Sequence, residues 1–138
     1  MSSIEAGSCS SVTKPLFLLD ANCCIYSIEQ LTPRLIERIE RRPPGAVITS
    51  AIVFAEVSKG TDWTNEEAAS LVNDFFCAVA ILPFDRDAAR RYADLPFARH
   101  RLDRLIAAHA LSLDVTLVTA NVRDFANIPY LKVEDWTQ

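Results

Sequence analysis

The segment Leu16-Phe17-Leu18-Leu19-Asp20 sets one acidic residue directly after four apolar residues. A short apolar run of this kind is typical of a strand that is buried in a parallel sheet. Ligands bind such sheets beyond the carboxyl ends of the strands, where the strand order reverses. The segment therefore predicts a first strand at residues 16–19 and a functional position at Asp20. Asp20 is equally suited to be the N-cap of a following helix.

Strands and helices alternate along the rest of the chain. Further strands are predicted at residues 46–49, 79–84, 115–119 and 130–133. Helices are predicted at residues 22–29, 34–41, 51–59, 65–77, 86–93 and 102–111, with Thr32, Ser50, Thr64 and Asp85 as N-caps. Short apolar strands that alternate with helices indicate a parallel sheet covered on both faces. We therefore predict a three-layer α/β/α fold with a central, mostly parallel sheet of four to five strands.

The length of 138 residues fits a single domain, and we expect a flexible tail at residues 1–14 before one domain at residues 15–138. No apolar run approaches the roughly 20 residues that span a bilayer, and the N-terminus lacks the basic start and apolar stretch of a signal peptide. We therefore expect a cytoplasmic protein without a membrane segment. Its cysteines match no zinc pattern and are expected to be reduced thiols that act as small buried apolar groups, namely Cys9, Cys23, Cys24 and Cys77.

Acidic and amide side chains follow the predicted strands or lie in the apolar helices. Glu56 lies in helix 51–59, which is apolar on nearly every side, so its carboxylate is costly to bury without a partner or a metal. Asp103 lies in the first turn of helix 102–111, and Asn121 and Asp124 follow the fourth strand. Other roles are open for two of them: Asp103 also suits the helix dipole, and Asp124 could pair with Arg123 or cap a turn.

Carboxylates that converge repel one another, and hard divalent cations such as Mg²⁺ remove that conflict. Such a site activates water for attack on a phosphodiester and needs neither histidine nor serine. The two histidines do not compete with this interpretation, because His109 is expected to be packed or hydrogen-bonded in its helix and His100 to be exposed. No Ser-His-Asp arrangement or glycine-rich phosphate loop is evident.

Four segments together resemble PIN-domain nucleases, and most of all the VapC-type toxins of bacterial toxin–antitoxin pairs. They are Leu18-Leu19-Asp20-Ala21-Asn22, Ser50-Ala51-Ile52 leading to Ala55-Glu56, the stretch from Leu102-Asp103 to His109-Ala110, and Leu117-Val118-Thr119-Ala120-Asn121 leading to Asp124-Phe125. The resemblance covers residues 16–136. It departs from the family pattern at Ala21, where many relatives have Thr, and at Asn121, where an acid often stands.

The resemblance implies a PIN fold and a metal-dependent endoribonuclease that acts as a toxin, with Mg²⁺ or Mn²⁺ as cofactor. It assigns the metal ligands to Asp20, Glu56, Asp103 and Asn121, with Asp124 as a further catalytic acid and with Asn22 and Thr119 orienting ligands or water. It also implies a homodimer and a VapB-type antitoxin whose C-terminal segment fills the acidic groove.

Three arginines lie in or beside the segment that leads to Asp103, namely Arg99, Arg101 and Arg104. We expect them to contact RNA phosphates, which positions a substrate without reading its sequence; a solvated basic loop explains them equally well. The net charge of −4 does not by itself indicate a nucleic-acid-binding protein.

Two further interpretations of the whole chain remain open at this point. One is a housekeeping PIN nuclease of RNA maturation, against which the small size counts. The other is a non-enzymatic module, either a doubly wound signalling domain such as a phosphoacceptor receiver or a degenerate PIN domain that only binds a partner. A receiver normally needs paired acids after the first strand, whereas here Asp20 stands alone.

Overall fold

A computed structural model describes residues 14–97, 99 and 101–138. Apart from Lys14, the predicted tail lies outside these residues, as do Cys9 and His100. The strands are β1 (Phe17–Leu19), β2 (Val47–Ser50), β3 (Ala80–Leu82), β4 (Thr116–Val118) and β5 (Val133–Glu134). The helices are α1 (Ala21–Ile28), α2 (Pro33–Glu40), α3 (Ala51–Lys59), α4 (Glu66–Ala78), α5 (Arg86–Tyr92) and α6 (Arg101–Leu113), and a 3₁₀ helix covers Val122–Phe125. In the described part of the chain, no helix is long and apolar enough to cross a membrane.

The five strands form one sheet in the order β3-β2-β1-β4-β5, and every pairing is parallel. This confirms the predicted α/β class and the strand count. The connections run in one direction from β1 to β3 and then cross back to β4. Because such crossovers are right-handed, this reversal sends α5 and α6 to the face opposite α1 to α4. The reversal point lies at β1 and β4, where binding sites of open parallel sheets occur.

Both faces of the central strand are covered. Leu18 and Leu19 are each 0% exposed although consecutive strand residues point to opposite faces. Leu117 in β4 and Trp136 after β5 are also fully buried, and the Trp136 ring packs 4.9 Å from the Phe17 ring. The run of apolar residues that predicted β1 is therefore explained by the three-layer core, which buries both faces of this strand.

The register of the strands fixes where the following residues lie. Leu19 is opposite Thr49 on one side and Val118 on the other. The strands β1, β2 and β4 therefore end at nearly the same level, and the residues that follow them emerge at one edge of the sheet.

Three predictions about local structure are wrong in detail. Asn65, not Thr64, is the N-cap of α4, because the Asn65 side chain accepts from the Ala68 amide while the Thr64 hydroxyl donates to Asp62. The strand predicted at 130–133 forms at Val133–Glu134 instead, since Tyr130 has a φ of 67°, which an extended strand does not adopt. Cys77 is exposed, whereas Cys23 and Cys24 are buried as expected.

We expect Asn65→Ala to lower the free energy of unfolding by about 1 kcal/mol, because the substitution removes the acceptor for the Ala68 amide. Ser70→Ala on the exposed side of the same helix is the matched control, with an expected change within about 0.5 kcal/mol. Urea denaturation measures both values. Equal effects of the two substitutions would contradict the assignment of the cap.

Candidate active site

A small pocket of about 100 Å³ opens at the carboxyl edge of the sheet. Its lining brings together acids from four separate parts of the chain, and it consists of Asp20, Ala21, Asn22, Glu56, Asp103, Ile106, Asn121, Asp124 and Phe125. All of the acidic positions singled out in the sequence therefore meet in one place, together with the predicted supporting residue Asn22.

Asp20 has both of the roles that the sequence allowed. Its Oδ1 accepts from the Cys23 amide at 2.9 Å and so caps α1, while its own amide donates to Val118 at 3.0 Å across the sheet. Burial raises the pKa of this carboxyl, and hydrogen bonds from the Thr119 side chain and the Cys23 amide counteract part of that effect. The backbone thus holds Asp20 in a fixed orientation at the edge of the pocket.

Glu56 lies in the middle of α3 and faces the pocket. Its Oε1 is buried and has no hydrogen-bond partner within residues 14–97, 99 and 101–138. Burial, followed by the negative charges of Asp103 and Asp20, raises the pKa of Glu56. An ionised carboxylate without a partner is costly to bury, so a cation at this oxygen would stabilise the charged form of Glu56.

The remaining polar residues come from α6 and from the segment after β4. Asp103 lies in the first turn of α6 and is half-buried. The Asn121 amide donates to Thr119 Oγ1 at 3.0 Å, and the Asp124 amide donates to the Asn121 carbonyl at 3.0 Å. Asn121 and Asp124 are both exposed at the mouth of the pocket, so one face of the pocket carries a neutral amide beside an acid.

Two apolar side chains complete the pocket and were missed by the sequence reasoning. Ile106 lies one helical turn after Asp103, and Phe125 ends the 3₁₀ helix; both are buried. Residues three apart lie on the same face of a helix, so the spacing from Asp103 could have predicted that Ile106 lines the pocket. Such apolar walls reduce the access of water and strengthen electrostatic interactions inside the pocket.

The three arginines predicted to contact RNA differ in their surroundings. Arg99 and Arg101 are exposed, and the Arg101 guanidinium lies 5.9 Å from the centre of the Phe97 ring. Arg104 is only 7% exposed, and its Nη1 donates to Asn127 Oδ1 at 3.1 Å. A guanidinium fixed inside the fold is not available to a phosphate, so the prediction for Arg104 is corrected to a structural role.

His109 is packed and hydrogen-bonded, as predicted. Its Nδ1 lies 2.7 Å from Ser50 Oγ, and its ring meets Phe84 edge-on at 5.5 Å. Ser50 caps α3, the helix of Glu56, while His109 belongs to α6, the helix of Asp103. This buried hydrogen bond therefore joins the two helices that carry acids into the pocket.

The donor set fits a hard divalent cation. Carboxylate and amide oxygens are the ligands that Mg²⁺ and Mn²⁺ prefer, and the buried Glu56 Oε1, which has no hydrogen-bond partner within the described residues, could bind such a cation. Within the described residues, no three His, Cys, Asp or Glu side chains form a group compact enough to hold an ion by themselves. Mg²⁺ usually keeps several waters and takes only one or two carboxylates, so this looser arrangement agrees with that ion better than with a fully protein-bound one.

Comparison with known proteins extends the resemblance. The sequence profile of the PIN domain matches residues 17–130. Ribonuclease VapC2 of Rickettsia felis is 29% identical in an alignment over 131 residues that covers 88% of this chain and 98% of that protein. The tRNA(fMet)-specific endonuclease VapC of Salmonella typhimurium is 30% identical over 129 residues, covering 87% of this chain and 97% of that protein. In the crystal structure of DNA-bound VapBC from Salmonella typhimurium, one chain superimposes with a TM-score of 0.78 at 28% identity, covering 88% of this chain and 98% of that chain.

We expect Glu56→Gln to stabilise the protein at neutral pH in the presence of a chelator. Folding raises the pKa of Glu56, so the folded state binds this proton more readily than the unfolded state does. Protonated Glu56 therefore adds to the free energy of unfolding below its ordinary pKa of 4.5. This contribution is lost as the pH rises through the higher pKa that Glu56 has in the folded state. Urea denaturation should show that the free energy of unfolding of Glu56→Gln exceeds that of wild type by an amount that grows from acidic to neutral pH. Glu67→Gln, on the exposed side of α4, is the control. Parallel pH profiles for the two variants would contradict the charge repulsion.

We expect His109→Ala to cost about 2–4 kcal/mol of stability, because it opens a cavity and leaves the Ser50 hydroxyl without this contact. His109→Asn should cost less, since its amide can still reach Ser50. Burial lowers the pKa of His109, so the unfolded state takes up the proton first as the pH falls through the ordinary value of 6.5. Wild type should therefore lose stability on acidification through that value, and His109→Asn should not show this loss. The same acid sensitivity in His109→Asn would assign the effect to another group.

Proposed function

This chain belongs to the PIN-domain family and is a ribonuclease of the VapC type, and we propose that it hydrolyses RNA with a divalent cation that Asp20, Glu56 and Asp103 bind in part through water molecules. The observation that carries the proposal is the buried Glu56 Oε1, which has no hydrogen-bond partner in the described part of the chain and shares its pocket with the other two acids. A bound Mg²⁺ or Mn²⁺ would supply a water of lowered pKa and would neutralise charge that develops on the phosphate.

The residues of the pocket would orient the cation and the attacking water. The Cys23 amide and the Thr119 hydroxyl hold the Asp20 carboxylate in one orientation at the pocket, so the binding of a ligand costs little side-chain freedom. Glu56 would contribute a carboxylate oxygen to the cation, whose charge would offset the burial and the repulsion from Asp103 and Asp20 that otherwise raise the pKa of Glu56. Asn121 offers a neutral amide oxygen as a fourth ligand, and Asp124 lies three residues further on, where it can accept a hydrogen bond from a water.

RNA phosphates near the pocket are proposed to contact Arg99 and Arg101. Both side chains are exposed just before or at the start of α6, two to four residues from Asp103. Such contacts hold the backbone of the substrate without reading its sequence.

We further propose that the protein is a toxin that forms a homodimer and is silenced by a VapB-type antitoxin. This rests on its likeness to the VapBC assembly of Salmonella typhimurium. An acidic pocket of this kind suits inhibition by an arginine of the antitoxin, since a guanidinium binds a carboxylate with two parallel hydrogen bonds.

Expression of the chain in bacteria should arrest growth and cleave RNA, and Asp20→Asn and Asp103→Asn should each lower cleavage by about a hundredfold or more. Loss of one charged ligand removes on the order of 3 kcal/mol of transition-state stabilisation. Asn is as good an N-cap as Asp, so Asp20→Asn removes the charge and keeps the cap of α1. Growth curves and cleavage of purified RNA by purified protein measure the two effects.

Asp114→Asn is the matched control. Asp114 is exposed, pairs only with Lys132 at 3.6 Å among the described residues, and has a φ of 55°, which Asn tolerates. Mg²⁺ should also raise the melting temperature of wild type and of this control, but not that of Glu56→Gln. The proposal fails if folded Asp20→Asn and Asp103→Asn at equal levels are as toxic and as active as the parent.

A further inference from the structure

A second cavity, of about 510 Å³, lies beside the end of α2 and is lined by arginines. Its lining consists of Arg38, Arg41, Arg42 and Glu134. We call it the arginine cavity. The arginines were not among the residues that the sequence predicted to bind RNA, and the chain as a whole is acidic, so three guanidinium groups around one cavity are a local feature of the fold.

Arg42 is held in place by aromatic rings, and none of the described acids forms an ion pair with it. Its Cζ lies 4.6 Å from the centre of the Phe17 ring and 5.0 Å from the centre of the Trp136 ring. A stacked guanidinium keeps the N–H groups at its edge free for a ligand, and it is pre-organised to bind an oxyanion with two parallel hydrogen bonds. The same rings pack against each other in the core, so the guanidinium rests on a rigid support.

The charges in the arginine cavity are not balanced by its own residues. Arg41 pairs with Glu37 at 3.2 Å, but both side chains are mostly exposed, and such a pair contributes little. Glu134 accepts from the Trp136 indole at 2.9 Å. Arg38 and Arg42 take part in no ion pair within the described ranges, and Arg38 contacts only the backbone carbonyl of Asp135, at 3.5 Å. An anion in the cavity would relieve the repulsion among the three guanidinium groups.

A short chain of hydrogen bonds joins the arginine cavity to the pocket that Asp20, Glu56 and Asp103 line, which we call the carboxylate pocket. The Glu134 carbonyl accepts from the Thr119 amide at 3.0 Å. The Thr119 hydroxyl then contacts both sides of the pocket, since it bonds to Asp20 and accepts from the Asn121 amide at 3.0 Å. These bonds connect Glu134, which lines the arginine cavity, to Asp20 and Asn121, which line the other pocket.

We propose that the arginine cavity binds a phosphate group of the same RNA strand that is cleaved in the carboxylate pocket. This rests on the proposed ribonuclease function. Arginine is the side chain best matched to the geometry of phosphate, and a single strand carries one phosphate at every nucleotide, so one strand can occupy both cavities. The hydrogen-bonded link through Thr119 to the pocket that is proposed to cleave RNA favours RNA over an acidic peptide as the occupant.

The test measures the binding of a short fluorescein-labelled single-stranded RNA by fluorescence anisotropy, in EDTA so that the strand stays intact. Arg38→Ala and Arg42→Ala should each weaken binding about tenfold and lower the slope of log affinity against log salt by about 0.7, the value expected for the loss of one phosphate contact with a single strand. Arg90→Ala is the matched control, because Arg90 is an exposed arginine on α5 that pairs with Asp94. It should leave both quantities unchanged.

Two conservative variants sharpen the result. Arg42→Lys keeps the charge but loses the flat guanidinium, so the salt slope should be preserved while the affinity falls part of the way. Glu134→Gln removes a negative charge from the arginine cavity and can still accept from Trp136, so it should raise the affinity for RNA several-fold. Arg38 does not stack on the core rings, so its variant remains informative if Arg42→Ala loses stability.

Wild-type affinity and salt slope in both Arg38→Ala and Arg42→Ala would overturn the proposal. It is also overturned if these variants bind RNA normally but lose the binding of an acidic polyglutamate peptide that wild type binds, because the arginine cavity would then be a protein-docking site. Cleavage of RNA by wild type together with normal binding by the variants would leave the proposed function standing and remove this inference alone. Absence of RNA cleavage by wild type would remove both.

Discussion

Three parallel strands end at the same level in this fold, and the site depends on that register. The pairing of Leu19 with Thr49 and with Val118 sets the next residue of each strand at one edge of the sheet. Asp20 follows β1, Ser50 ends β2 and caps the helix of Glu56, and Thr119 follows β4 and binds Asp20. A slip of one residue in any of these pairings would turn the side chains to the opposite face and dismantle the pocket.

The pocket is held at an energetic cost that the rest of the fold offsets. Burial raises the pKa of both Asp20 and Glu56, and repulsion from Asp103 and Asp20 raises that of Glu56 further, so ionisation of both groups destabilises the folded state. Around them lie contacts that do not depend on charge: the buried core of both sheet faces, the Ser50–His109 hydrogen bond and the cap of α1. A rigid frame of this kind keeps the acids in one pocket, which would favour the binding of the proposed divalent cation and its action on a phosphodiester.

The parts that the sequence could predict were those set by local patterns. Apolar runs located the strands, Ser50 and Asp85 were correct N-caps, and acids after strands marked the pocket. The errors arose where distant or competing contacts decide. Arg104 looked like a surface arginine, but its burial depends on Asn127, which is far along the chain. Thr64 and Asn65 are both good caps, and the bond from Thr64 to Asp62 settled which of them caps α4. The support of Arg42 joins Phe17 to Trp136, residues from opposite ends of the domain, and no local pattern reveals it.

The order of the strands also has a consequence for how the protein folds. Phe17 in the first strand pairs with Thr116 in the fourth, so the centre of the sheet closes only after almost the whole domain has been made. Closing such a long loop is entropically unfavourable and is expected to come late, which makes folding slow compared with that of helical proteins of similar size. Until that closure, Asp20 and Thr119 remain on unconnected parts of the chain. Partly folded molecules, however compact, would therefore lack the assembled site. Activity would appear only in molecules whose folding is complete.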